Sequence, residues 1–200
     1  MLFKRVMLFA ALSMLILLAA CGGSEETKQA SQPAAAPDPK PAEEKVPVYE
    51  LTKDVVSSHE GWTSRNISVL GVKLGDKTNA VGKNFGDVEN TRTLPEEYLT
   101  IYQKNGLFVY TFKLTGKIRK FEIYDTFAKQ IADEKLAKLL TTGDLKAMRV
   151  LFGMEEGSEP NAEDNSTEYS YDSRGFRFVK FKVKGRTLNA IRLAELKKTT

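Results

Sequence analysis

One thiol, one imidazole and a cluster of acids are the groups with which this 200-residue chain could do chemistry. Cys21 is the only cysteine, which excludes an intramolecular disulfide and any cysteine-cluster metal site. His59 is the only histidine, so no multi-histidine metal site can form within one chain. It lies in Ser57-Ser58-His59-Glu60. A serine, a histidine and an acid adjacent along the chain do not make a catalytic triad, which is assembled across a fold. Glu155, Glu156, Glu159, Glu163, Asp164 and Glu168 crowd one loop. Calcium needs several converging oxygens, and the EF-hand spacing with its central glycine is missing, so a solvated loop is the first reading and a cation site the alternative. No nucleophile elbow, phosphate loop, zinc-protease or kinase motif occurs, and no carboxylate pair stands out for glycoside hydrolysis. The chain is therefore expected to be no enzyme and to need no metal and no cofactor.

The remaining chemistry is that of the Cys21 thiol, and the segment before it says what that is. Residues 1–20 carry Lys4 and Arg5, no acid, and an apolar run from Val6 to Ala20 broken by Ser13. At ~15 residues the run is short for a membrane-spanning helix, which needs ~20. It has the charged start and apolar middle of a secretory signal. The junction reads Leu18-Ala19-Ala20-Cys21-Gly22. This resembles the signal peptide of bacterial lipoproteins, in which the cysteine receives a diacylglyceryl group and becomes the new N-terminus. The resemblance implies cleavage after residue 20, an acylated (palmitate-bearing) Cys21, and a membrane partner for the mature chain in the cell envelope. Gly22, where an Asp would favour inner-membrane retention, implies the outer membrane, facing the periplasm, in a Gram-negative cell.

Residues 21–45 form the next segment. From residue 22 onward they contain no Val, Ile, Leu, Met, Phe, Tyr or Trp, and they carry Pro33, Pro37, Pro39 and Pro41. Such a stretch buries too little to offset its ordering entropy. It is expected to be a tether, reaching ~75 Å fully extended and ~27 Å as a coil. Loss of the leader also removes two positive charges and no negative ones from a chain whose formal net charge is +4. No strong basic excess remains, so no nucleic-acid partner is expected.

Apolar patterning runs from Val46 to Leu196, and within it the sequence repeats. Gly75-Asp76 recurs as Gly143-Asp144, Phe85-Gly86 as Phe152-Gly153, Asn105-Gly106 as Arg174-Gly175, and Gly116-Lys117 as Gly185-Arg186. The expectation is two units, 46–125 and 126–200. In each, an Asp-capped helix ending at Gly86 or Gly153 would precede three strands. The strands are placed at Tyr98–Gln103, Leu107–Leu114 and Lys117–Tyr124, and at Thr167–Asp172, Phe176–Val183 and Thr187–Leu193. A strand is expected over Ile67–Leu74, and one or two helices over Thr126–Thr141 with Asp133 as a possible second cap. The predicted fold class is α+β: tandem helix–three-strand units forming antiparallel sheet, with helices packed on one face. Alternation puts Phe108, Tyr110, Phe112 and Leu114, with Arg177, Val179, Phe181 and Val183, on the helix side.

Gly75, Thr78, Val81 and Phe85-Gly86 ahead of a three-stranded sheet resemble the outer-membrane-assembly lipoproteins of the SmpA/OmlA type. The second unit keeps Gly143 and Phe152-Gly153 but has Lys146 and Arg149 near the Thr and Val positions. A tandem pair of such units is also similar in architecture to the β-lactamase inhibitory protein, which implies protein binding on a sheet face.

That implication directs attention to the sheet face opposite the expected core. There Tyr98, Tyr102, Tyr169, Tyr171, Phe176 and Phe178 interleave with Lys180 and Lys182. Aromatic and basic residues in this mixture suit a protein partner, and the alternative is that another segment, such as residues 46–66, covers them. The sequence thus predicts an envelope lipoprotein acting as a protein-binding or scaffolding module. A small-ligand or cation carrier or sensor is the alternative, with a carboxylate hydrolase behind it.

Overall fold

The computed structural model describes residues 47–195. The leader, Cys21 and the tether expected over 21–45 lie outside the described residues.

The fold is dominated by one sheet. A short parallel pair, β1 (Tyr49–Glu50) and β2 (Ile67–Ser68), comes first. Then follow β3 (Asn90–Thr93), β4 (Glu97–Tyr102), β5 (Leu107–Phe112) and β6 (Ile118–Tyr124). Helices α1 (Glu134–Thr142) and α2 (Leu145–Phe152) lead into β7 (Gly157–Asn161), β8 (Ser166–Tyr171), β9 (Phe176–Val183) and β10 (Arg186–Ala194). Strands β3 to β10 form an eight-stranded antiparallel sheet in the order β3-β4-β5-β6-β10-β9-β8-β7. Two four-stranded meanders therefore join along β6 and β10.

This corrects the expected helix–three-strand units. Among the described residues no α-helix precedes β3; Thr78–Ala80 and Lys83–Phe85 form two short 3-10 turns instead. Asp76-Lys-Thr-Asn-Ala-Val-Gly-Lys-Asn-Phe85 is poor in helix formers, with Gly82 in its middle, and cannot offset the cost of nucleation. The Asp76 carboxylate accepts from the Lys73 amide, upstream of the segment it was expected to cap. In contrast, Leu145–Phe152 is rich in helix formers, and Asp144 caps it through the amides of Lys146 and Ala147. Asp133 likewise caps α1, splitting Thr126–Thr141 into a 3-10 turn and a helix. Each half also contributes a fourth strand, β3 or β7, ahead of the three expected. The strand placed over Ile67–Leu74 shortens to two residues.

The facing of the sheet is also the reverse of the expectation. Leu107, Val109, Phe176 and Phe178 join α1, α2 and the segment from Leu51 to Val72 in the main core. Phe108, Tyr110, Phe112, Val179 and Phe181 point the other way. Both faces of β5 and β9 are apolar, so alternation alone could not choose between them. The turns choose. Gly106 and Gly175 are left-handed, and a Cβ on Gly106 would meet the Phe127 amide nitrogen at 2.8 Å. Packing this turn against the Asp125–Gln130 turn sends the next residue, Leu107, inward; Phe176 follows Gly175 in the same way. On the second half, Asn189 Nδ2 donates to Leu140 O at 2.9 Å and Lys180 Nζ to Gly143 O at 2.9 Å, docking α1 on that face.

Phe178, fully buried, should cost about 3–5 kcal/mol when changed to Ala, as for other large core truncations. Phe112→Ala, half-buried on the other face, should cost less than half as much. Guanidinium unfolding of the two variants checks this; equal losses would mean that the facing is wrong.

Candidate functional site

The face without helices carries a row of charges across the middle of the sheet. Arg192 of β10 lies directly opposite Glu122 of β6. Its Nε donates to Glu122 Oε1 at 2.9 Å, and its Nη1 donates to Glu168 Oε1 on β8. Glu168 Oε2 accepts from Arg177 Nη1 of β9 at 2.6 Å. Arg177 reaches Asp172 through Nε at 3.0 Å and Nη2 at 3.1 Å. Tyr124 Oη donates to Glu122 Oε2 at 2.9 Å. Lys120 Nζ lies 3.6 Å from Glu122 Oε1 and 3.4 Å from the Tyr110 ring centroid.

Burial acts on these groups through desolvation. It would raise the Glu168 carboxyl, but Arg177 and Arg192 outweigh it and hold that group below the usual carboxylate range. Burial lowers Lys120, with Arg192 adding repulsion and Glu122 opposing. Burial and the Glu122 charge raise the phenols of Tyr124 and Tyr110, which therefore stay protonated. Acid–base catalysis by paired carboxylates uses one acid kept protonated near neutral pH. Glu168 is held ionised by two guanidinium groups, and its oxygens are already bonded. The row suits fixed electrostatic recognition better than proton transfer.

Apolar clusters flank the row. Leu99, Ile101 and Tyr110 pack with Leu94 and Phe108 on one side; Val179, Phe181 and Ala190 pack with Tyr124 and Leu188 on the other. All belong to the sheet strands or to the β3–β4 turn, and no helix contributes. Ring centroids of Phe108 and Tyr124 are 4.8 Å apart, and those of Tyr124 and Phe181 5.7 Å. Open cavities of about 420 and 280 Å³ border Arg177 and Arg192, reaching Glu163 on one side and Phe176 on the other.

The residues predicted from sequence share one face, but it is the helix-covered one. Tyr102, Tyr171, Phe176 and Phe178 are buried in the main core. Tyr169 packs on its edge, and Lys180 is used in docking α1. Tyr98 is 44% exposed at the rim and Lys182 is exposed near the end of β9. The segment before β2 helps cover this face, as the alternative reading allowed. Arg174 ties it down: Nε donates to Trp62 O at 2.7 Å, Nη1 to Phe152 O at 2.8 Å, and Nη2 to His59 O. Its counterpart Asn105 donates to Phe85 O at 2.7 Å. The charge row was missed, although Lys120, Glu122 and Tyr124, alternating with the apolar Phe121 and Ile123, were its signal.

The acidic loop does not gather into a cation site. Arg149 binds Glu155 in a bidentate pair at 2.6 and 3.0 Å and pulls its carboxyl down to about 2. Glu156 is taken by the Ser173 amide and hydroxyl, and Glu168 by the two arginines. His59 is buried, with Nε2 3.3 Å from Asp133 Oδ2 and its ring 4.5 Å from that of Trp62.

The chain matches no family model, no curated protein and no solved structure.

Burial lowers the His59 pKa below 6.5; Asp133 opposes this, and Lys135 and Arg174 add to it. Between the two values the unfolded chain binds more protons than the folded one. The stabilisation is thus complete above the unfolded value and is lost as pH falls toward the folded one. The unfolding midpoint should drop between about pH 7.5 and 5.5, and His59→Gln should flatten that slope. An unchanged slope in the variant would mean that His59 is not buried as a neutral ring.

Proposed function

We propose that this chain is a bacterial envelope lipoprotein, anchored to a membrane through acylated Cys21, whose folded region binds or scaffolds another envelope protein on its helix-free sheet face. The observation that carries this reading is the composition of that face. Aromatic and aliphatic clusters flank a row of charges in which each acid and each guanidinium already has a partner. Protein interfaces favour this mixture of aromatic anchors with arginine, since rigid side chains lose little entropy on binding. The leader and its Leu-Ala-Ala-Cys junction support the anchor, and Gly22 supports the outer membrane in a Gram-negative cell. The segment between Cys21 and the fold is long enough to hold such a face clear of the lipid surface.

A photo-reactive residue placed at Phe108 in the full chain should crosslink one dominant envelope protein in intact cells. The same probe at Val150, exposed on the outer side of α2, should not. Cys21→Ser should abolish incorporation of labelled fatty acid, because a hydroxyl offers no thiol to acylate. Equal crosslinking from both positions would overturn the binding face, and labelling of the serine variant would overturn the anchor.

A further inference from the structure

Among the described residues the eight-stranded sheet ends at two unpaired edges, β3 and β7, and the chain treats them differently. Because the two meanders match, each edge residue has a counterpart. Tyr102 pairs with Leu107 and Tyr171 with Phe176, on either side of the left-handed Gly106 and Gly175. Counting back, Ile101 matches Ser170, so their partners Asn90 and Gly157 match as well. The same bond opens both edges: Glu89 N donates to Ile101 O at 3.0 Å, and Glu156 N to Ser170 O at 2.8 Å. Thr91 then corresponds to Ser158, and Thr93 to Pro160.

The direction of the free amides follows from the ladder. Leu94 N donates to Glu97 O at 2.9 Å across the β3–β4 turn. Antiparallel bonding alternates, so Arg92 and Asn90 bond inward to β4, while Thr91 and Thr93 aim their amides and carbonyls off the sheet. In β7 the outward position equivalent to Thr93 is Pro160, which has no amide to offer, whereas the middle of each edge carries one charge, Arg92 or Glu159. Proline is one way in which proteins blunt an edge. β3 has no proline and two β-branched threonines, and all four of its residues are exposed.

We propose that β3 is a strand-addition site for an extended segment of another protein that carries an acid opposite Arg92. This deepens the protein-binding reading and rests on it: it names one way in which a partner engages the sheet. Main-chain bonds from Thr91 and Thr93 hold the added strand, and side chains at alternate positions give it specificity. Arg92 lies on the helix-free face beside Leu99, exposed and without an ion pair among the described residues. A second copy fits this edge poorly. Antiparallel self-pairing that uses both free threonines sets Thr91 opposite Thr93 of the other chain, and so sets Arg92 against Arg92 at the closely spaced position.

The test is selection of a random-peptide display library on the immobilised full-length chain, with resynthesis of the enriched peptides. They should alternate in polarity and share an Asp or Glu at one position. Thr93→Pro, which copies Pro160 and removes no ladder bond, should weaken them at least about tenfold while leaving the unfolding midpoint unchanged. Selection on Arg92→Glu should instead enrich Lys or Arg at the shared position; this arm decides the matter if Thr93→Pro fails to fold. Absence of enrichment, unchanged binding to Thr93→Pro, or no charge swap on Arg92→Glu would overturn the proposal. So would a dimer of the wild-type chain that Thr93→Pro abolishes, which would give the edge to a second copy. Peptides that lose binding on Phe108→Ala but not on Thr93→Pro would sink the edge while leaving the face reading intact.

Discussion

The pairing of β6 with β10 is the contact on which the rest of the structure depends. It turns two four-stranded meanders into one sheet, and it removes two edges that would otherwise lie open at the middle of the molecule. Its registration makes equivalent residues of the two halves meet, because Leu107 pairs with Ile123 just as Phe176 pairs with Leu193. Glu122 and Arg192 are therefore counterparts as well as neighbours. Between identical subunits that position would bring a residue against its own copy, and any charge there would repel. Within one chain the two sites are free to differ, and an acid opposite a guanidinium fixes the seam. Glu168 and Arg177 extend the pairing across β8 and β9, so the seam and the candidate binding face are built from the same groups.

Among the described residues the cover lies on one side of this sheet and gives the fold its polarity. The first half has 3-10 turns where the second has helices, so most of the cover comes from α1, α2 and the segment around Trp62. Arg174 holds that segment by bonding three of its neighbours' carbonyls at once, and burial depresses the pKa of its guanidinium even so. A buried charge is tolerated where it is fully hydrogen-bonded. Asn105 makes only the one corresponding bond in the first half, where no equivalent segment needs holding. The other face carries no helix among the described residues, and its charges are set by one another instead of by water.

Local signals in the sequence were strong enough for the inner strands and for α2. Alternation marked β4, β5, β6, β8, β9 and β10 to within about two residues of their ends, as such boundaries usually allow. The turn glycines and the Asp133 and Asp144 caps were equally plain. What stayed hidden depended on distance or on competition. The edge strands Asn90–Thr93 and Gly157–Asn161 have no apolar alternation, since neither face of an edge needs burial. The facing of β5 and β9 was ambiguous because Phe108 and Leu107 are both apolar, so tertiary packing decides it. The repeat at Gly75–Gly86 suggested a helix because it matched a real one, but propensity in the first copy was too weak. Glu122 and Arg192 come from opposite halves of the chain, and no local pattern joins them. The misplaced binding residues follow from the facing alone: they were grouped on one face, and that face is the core.

The central claim is that Arg192 couples two otherwise buried carboxylates across the seam, and a thermodynamic cycle tests it most directly. Arg192→Met should cost about 3–5 kcal/mol in the wild-type background, because it leaves Glu122 and Glu168 buried without their shared partner. In a Glu122→Gln, Glu168→Gln background the same change should cost less than half as much. Equal costs in both backgrounds, measured by guanidinium unfolding, would mean that the three groups act independently and that the seam is held by backbone pairing and packing alone.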